Sequence, residues 1–321
     1  MPNTPSEALA SISGSILKDT VKKITAALPI IYDKAKIDFS AGFDVYIEKA
    51  YANYNNVRTL LHRTEGKPLY DIYVPCNLRY KTGFIIKEPC IDNIFLEDNN
   101  CVLITGAGGA GKSMVMRHLY LNAINEFNEG SAKIPVIVNL RDLEQDNTNI
   151  LDCIYFELNK FGNNMIRSNL EHALEIGIFL LLLDGIDELS TEKLESFYKE
   201  LDVLKSKYDK NLYVMTSRPI GDFYEVNNFI DLKMRGLTKE QASTLITKLD
   251  YDEKVMLASH PLVVQKRKGT QAKLDRRKIT QSAVNPNTIK PVDIISKFNL
   301  QLFRGLKYAP VNKFRFNHFE S

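Results

Sequence analysis

The sequence predicts a three-layer α/β domain on a parallel sheet, preceded by a helical N-terminal region. Three observations carry this expectation. A glycine-rich run, Gly106 to Ser113, sits between an apolar strand and a helix. A second apolar run, Phe179 to Leu183, ends in an acid, Asp184. From Asn99 onward, strand-like and helix-like patterns alternate, as in βαβ units whose sheet is covered on both faces.

Residues 1–90 read as helical and then loop-rich. Ile12, Ile16, Ile24 and Leu28 suggest one imperfect apolar stripe, and Tyr46, Ala50, Tyr54, Val57 and Leu61 keep helical spacing over a second segment. Gly66, Pro68, Pro75 and Pro89 punctuate the linker that follows. Residues 91–235 hold the α/β pattern. Strands are expected at Cys101 to Thr105, Ile134 to Leu140, Ile178 to Leu183 and Asn211 to Thr216, with helices at Lys112 to Phe127 and Glu192 to Leu204. Residues 236–264 open a helical subdomain. Thr238 and Gln241 there have capping-box spacing, and Ala242, Leu245, Ile246 and Leu249 make an apolar face.

Composition narrows the class. The 321 residues carry 42 Lys+Arg against 39 Asp+Glu, a net charge of +3, so the global balance points to no polyanionic partner. The four cysteines, Cys76, Cys90, Cys101 and Cys153, form no CxxC pair and no zinc spacing. The apolar run from Ile176 to Leu183 is far shorter than the ~20 residues a membrane span needs. A soluble, cytoplasmic protein is expected. Residues 265–321 are basic, with Lys266, Arg267, Lys268, Lys273, Arg276, Arg277 and Lys278 opposed only by Asp275 over that stretch. A solvated tail is favoured there over nucleic acid or an anionic membrane as partner.

Three motifs carry chemistry. Gly106-Ala107-Gly108-Gly109-Ala110-Gly111-Lys112-Ser113 matches the phosphate-binding loop G-x-x-x-x-G-K-[ST] in full, in the strand-to-helix context that gives it meaning. Glycines let backbone N–H groups approach phosphate oxygens, and the helix N-terminus adds a positive dipole end. Lys112 is expected to reach the β- and γ-phosphates, with Ser113 a magnesium ligand. Asp184, at the end of its strand, is expected to hold magnesium beside the loop. Asp187 and Glu188 follow, and one of them, Glu188 by preference, orients the attacking water. Arg218, after the strand Tyr213 to Thr216, is placed to sense the γ-phosphate.

Together these motifs resemble the NACHT family of P-loop NTPases. Asp184-Gly185-Ile186-Asp187-Glu188 is the most specific feature. Asn139-Leu140-Arg141-Asp142-Leu143, Thr216-Ser217-Arg218-Pro219, and Arg235-Gly236-Leu237-Thr238-Lys239-Glu240-Gln241-Ala242 are similar to further family patterns. Ser259-His260-Pro261-Leu262 looks like the segment whose proline packs against adenine. The resemblance implies ATP or ADP with Mg2+, a nucleotide-dependent switch between closed and open states, and self-association on activation. Bacterial members are associated with anti-phage defence and animal members with innate immune sensing. The winged helix and long sensor region usual in the family do not fit within residues 265–321, which read as a short C-terminal segment or a remnant.

Rivals are weaker. Thr247-Lys248-Leu249-Asp250 matches a guanine-reading pattern but ends a helix instead of following a strand. A GTPase DxxG switch would need glycine where Asp187 stands. A nucleotide-gated scaffold without turnover, and a truncated module that binds ATP without signalling, remain the alternatives to a slow ATPase.

Overall fold

The computed structural model describes residues 14–31, 42–59, 66–96, 99–127, 133–144, 148–162, 165–219 and 229–249. Ile12, Leu61, Pro261 and the basic segment lie outside the described residues.

Two helices open the fold, α1 (Gly14–Ile31) and α2 (Phe43–Asn55). The buried face of α1 is Leu17, Val21, Ile24, Ala27 and Leu28, whereas Ile16 is 54% exposed. Ile24 and Leu28 of the expected stripe are buried, and Ile16 alone of its described members falls outside the face, because Leu17 and Val21 are the residues in phase with them at helical spacing. Helix α2 buries Tyr46, Ala50 and Tyr54 as expected. Its tyrosines bond into the α/β body. The Tyr46 hydroxyl donates to Pro135 O at 3.0 Å, and the Tyr51 hydroxyl donates to Asn125 Oδ1 at 2.9 Å. One continuous hydrophobic core joins both parts.

The stretch read as a linker is more ordered than its prolines suggested. Strands β1 (Asn56–Val57) and β2 (Lys67–Pro68) form a small antiparallel pair, followed by α3 (Leu69–Ile72). A hairpin of β3 (Leu78–Tyr80) and β4 (Ile85–Ile86) then joins the main sheet, and α4 (Ile91–Ile94) leads into the parallel strands. Elements of two or three residues are too short to show a period, so composition alone reads them as loop.

The main sheet has the order β4-β3-β9-β5-β8-β7-β6. Its parallel strands are β5 (Cys101–Thr105), β6 (Ile134–Asn139), β7 (Phe179–Asp184), β8 (Leu212–Ser217) and β9 (Ile230–Met234). Four of these match the expected strands, and β9 is new. Strand β3 pairs antiparallel with β9 at one edge. Between the strands run α5 (Lys112–Asn125), α6 (Ile150–Asn159), α7 (Arg167–Ile176) and α8 (Thr191–Lys207), and α9 (Lys239–Lys248) follows β9. Phe179 to Leu183 are fully buried, as a strand covered on both faces requires. Strand β5 lies between β8 and β9, so the loop leaving β5 emerges between two other strand ends.

A buried histidine ties α5 to the N-terminal region. His118 Nε2 lies 2.9 Å from Pro89 O, and Nδ1 lies 3.1 Å from the Tyr70 hydroxyl. A carbonyl only accepts, so Nε2 carries the proton and Nδ1 accepts from Tyr70. The ring also stacks on Tyr73 at 4.9 Å. Burial holds the His118 pKa down at about 4, against an ordinary 6.5. Between those values the unfolded chain takes up a proton that the native chain refuses, so stability falls as pH drops through the window. The expected loss is roughly 3 kcal/mol from this residue. Denaturant unfolding at about pH 7 and about pH 4 checks it. His118→Gln keeps a donor and an acceptor but does not titrate, and should show a loss smaller by that amount. Equal losses in both proteins would refute the assignment.

Candidate functional site

The ends of β5, β7 and β8 meet at the carboxyl edge of the sheet, and the predicted residues lie there. The loop Gly106 to Gly111 begins with a stitch to the neighbouring strand, as Gly106 N–H donates to Ser217 O at 3.1 Å. Gly106 is packed under Met234 of β9. A Cβ there would lie 3.1 Å from Met234 Cβ and Sδ, so the position is tight for any side chain. Ala110 N–H donates to Ala107 O at 3.0 Å and closes the turn. Gly111 adopts φ +100°, a left-handed conformation that side chains disfavour, and α5 starts immediately after it. Met114 and Val115 N–H both donate to Gly111 O, at 2.9 and 3.0 Å, whereas the amides of Lys112 and Ser113 have no partner within the helix.

Lys112 crosses this loop. Its Nζ donates to Gly106 O at 2.8 Å and to Ala107 O at 3.3 Å. Burial is the largest influence on its pKa and lowers it. Arg218 adds to the lowering, while Asp187, Asp184 and Glu188 oppose it. Ser113 is exposed on the first turn of α5.

Asp184 ends β7 and is held by a residue that the sequence reading quoted without giving it a role. The Thr216 hydroxyl donates to Asp184 Oδ1 at 2.5 Å and accepts from Gly185 N–H at 2.9 Å. Thr216 is fully buried. The other carboxylate oxygen, Oδ2, has no hydrogen-bond partner among the described residues. The available signal was a threonine at the point where an apolar strand turns polar.

Asp187 and Glu188 lie in a single 3-10 turn, Ile186–Glu188, and face different partners. Asp187 engages Arg218 twice. Its Oδ2 accepts from Arg218 Nε at 2.7 Å, and its Oδ1 accepts from the Arg218 backbone N–H at 3.0 Å. The Asp187 side chain is 8% exposed and that of Arg218 61%. The Glu188 carboxyl lies against Gly185, 3.4 Å from where a Cβ there would stand. Burial raises the Glu188 pKa, Asp184 and Asp187 raise it further, and Arg141 and Arg218 work against them.

The guanidinium of Arg218 reaches the phosphate loop. Its Cζ lies 3.5 Å from the Cβ position of Gly108. Lys248, from the guanine-reading lookalike, is committed elsewhere. Its ammonium donates to Tyr70 O at 2.7 Å and Tyr73 O at 2.9 Å. Among the described residues, no three His, Cys, Asp or Glu side chains group to hold a metal ion. No described helix is long and apolar enough to cross a membrane.

No family model matches the chain, and no curated protein matches it. Among solved structures, 61 chains are similar. One is the structure of C. elegans PCH-2, 13% identical, with a TM-score of 0.32. The match covers 64% of this chain and 52% of that one, so it spans about half the length of the PCH-2 chain.

Thr216 sets up a clean test. Thr216→Val keeps the shape but removes the donor to Asp184 and the acceptor for Gly185 N–H. It should cost about 2 kcal/mol in denaturant unfolding, the scale of buried polar groups left unpaired. Thr216→Ser keeps the hydroxyl, loses one methyl, and should cost about 1 kcal/mol. A serine variant as unstable as the valine variant would show that packing, not the hydroxyl, holds this edge.

Proposed function

We propose that the chain binds ATP or ADP with magnesium and uses slow hydrolysis as a switch. The observation that carries this reading is the cradle at the carboxyl edge. A complete glycine-rich loop is crossed by Lys112, 2.8 Å from Gly106 O, with the Thr216-anchored Asp184 beside it. A triphosphate concentrates negative charge, and this edge offers loop amides from Ala107, Gly108, Gly109 and Gly111, with Gly106 and Ala110 shaping the loop through their own backbone bonds, and adds a helix N-terminus and one ammonium. Lys112 serves the β- and γ-phosphates.

The donor set suits magnesium. Asp184 Oδ2 and the Ser113 hydroxyl are hard oxygen ligands. Magnesium commonly takes one or two such protein oxygens, completing its shell with phosphate and water. Bound there, the ion neutralises charge on the phosphate oxygens. Glu188 orients the attacking water, and burial, with Asp184 and Asp187 nearby, raises its pKa in the direction a base needs. Arg218 stabilises charge building on the transferred phosphoryl group.

A NACHT-type signalling role extends this reading and is supported by the sequence resemblance alone. In that role nucleotide state drives a closed-to-open change with self-association, in antiviral or innate immune defence. Pro261 then packs against adenine, and ATP is preferred over GTP.

Nucleotide binding and turnover on the purified protein test the reading, with ATP and GTP, with and without magnesium. Lys112→Ala should weaken magnesium-dependent ATP binding by at least about tenfold, the scale of a lost charge-assisted phosphate contact. Glu188→Gln should keep ATP but lower turnover by about a hundredfold or more, as for removal of a catalytic base. Equal ATP binding by wild type and Lys112→Ala, both folded by circular dichroism, would sink the assignment.

A further inference from the structure

The carboxyl edge holds two acids in consecutive positions, and their geometry divides them. Asp187 meets Arg218 through two bonds of different kinds, one from Nε and one from the backbone N–H. The backbone bond fixes where residue 218 leaves β8. The Nε bond fixes the rotation of the side chain. A guanidinium tied at Nε still has four donors, two on each Nη. Cζ then lies 3.5 Å and Nη1 3.7 Å from the Cβ position of Gly108, so the group lies over the loop while the side chain stays 61% exposed and open to an incoming ligand. Asp187 is itself only 8% exposed, so this carboxylate meets its partner with little water between them.

We propose that Asp187 is a positioning residue, which clamps Arg218 so that its Nη donors overhang the phosphate loop at Gly108 and engage the terminal phosphate of a nucleoside triphosphate. The inference rests on the nucleotide reading above and assigns Asp187 a role distinct from that of Glu188. A free arginine after a strand samples many rotamers, and ordering it costs entropy at each binding event. The clamp pre-orders the side chain. It also supplies a counter-charge that lets Arg218 and Lys112, both cationic, share one edge. Their mutual influence is visible in Lys112, whose pKa Arg218 lowers and Asp187 raises. A terminal phosphate is the group that distinguishes ATP from ADP, so the clamp is a device for reading nucleotide state.

A double-mutant cycle tests this on the full chain. The affinities for magnesium-ATP and magnesium-ADP are measured in wild type, Asp187→Asn, Arg218→Gln and the double variant, with thermal unfolding as a fold control. Asparagine preserves the volume but turns an amide or a weaker acceptor toward Nε. Each single variant should lower the preference for ATP over ADP by about tenfold, and the double variant by no more than either single one, because residues acting as a unit are non-additive. Arg218→Lys keeps the charge without the fork and should behave like Arg218→Gln. Additive losses would overturn the clamp. So would an Asp187→Asn variant that loses turnover with its ATP preference intact, since that is the behaviour of a base. If wild type binds neither nucleotide, the nucleotide reading itself fails. If it binds both and the cycle is additive, only the role of Asp187 fails.

Discussion

Strand register governs the candidate site. Strands β7 and β8 pair with Leu183 opposite Met215, which carries Asp184 alongside Thr216. Strands β5 and β8 pair with Thr105 opposite Ser217, which brings Gly106 N–H to Ser217 O. A slip of one residue in either pair would exchange the faces of every side chain on the strand. The uniformly apolar run from Phe179 to Leu183 would fill both faces in either register, so the polar contacts at the strand ends, Thr216 with Asp184 and Gly106 N–H with Ser217 O, are what a slip would break. Polar chemistry can leave such a sheet only where the strands stop. The apolar core is therefore what places the acids, the lysine and the loop together.

The same edge must reconcile several charges. Lys112 and Arg218 bring basic side chains to it, and Asp184, Asp187 and Glu188 bring carboxyl groups. The structure gives each a different arrangement. Asp187 takes a direct ion pair, Asp184 takes a neutral hydroxyl donor, and Glu188 lies beside both with its pKa pushed up. An exposed pair such as Lys199 with Glu195 on α8 contributes little, because water screens it. Asp187, shielded from water, cannot lose Arg218 so lightly. Charge at this edge is thus shared out by geometry, and a terminal phosphate arriving there meets donors already in place.

The loop from Gly106 to Ser113 was legible because its residues are contiguous and each requirement on them is local. Asp184 was legible for a related reason, since a long apolar run must end somewhere and an acid marks the end. The pairs that complete the site were not. Asp187 and Arg218 come from separate strands, and nothing local in either segment specifies the other. Thr216 was visible as a residue but its double hydrogen bond needs the β7–β8 register. The β3–β4 hairpin escaped because strands of three and two residues are too short to show a period, whereas β9 does alternate strictly, Ile230-Asp231-Leu232-Lys233-Met234, and was legible in principle. On α1 Ile16 alone was misplaced, because it is as apolar as Leu17, the neighbour that keeps helical phase with Val21, Ile24 and Leu28.

Attachment of the flanking parts follows a different rule from the core. Helix α9 has no buried residue within Lys239–Lys248, although Leu249 just beyond it is buried. It is held by directional bonds together with Leu245, which packs partly buried against the core. Gln241 Nε2 donates to Pro75 O at 2.9 Å, and Lys248 grips the carbonyls of Tyr70 and Tyr73. Those tyrosines in turn pack on His118 of α5, the helix that begins with Lys112 and Ser113. A contiguous path of side chains therefore runs from the phosphate loop helix through α3 to α9. The polar bonds can be exchanged for water, and only Leu245 and Leu249 would lose apolar cover, whereas the sheet cannot shift without exposing its whole apolar interior. The division places rigidity where phosphate chemistry needs fixed donors and leaves the outer helix on bonds that water can replace.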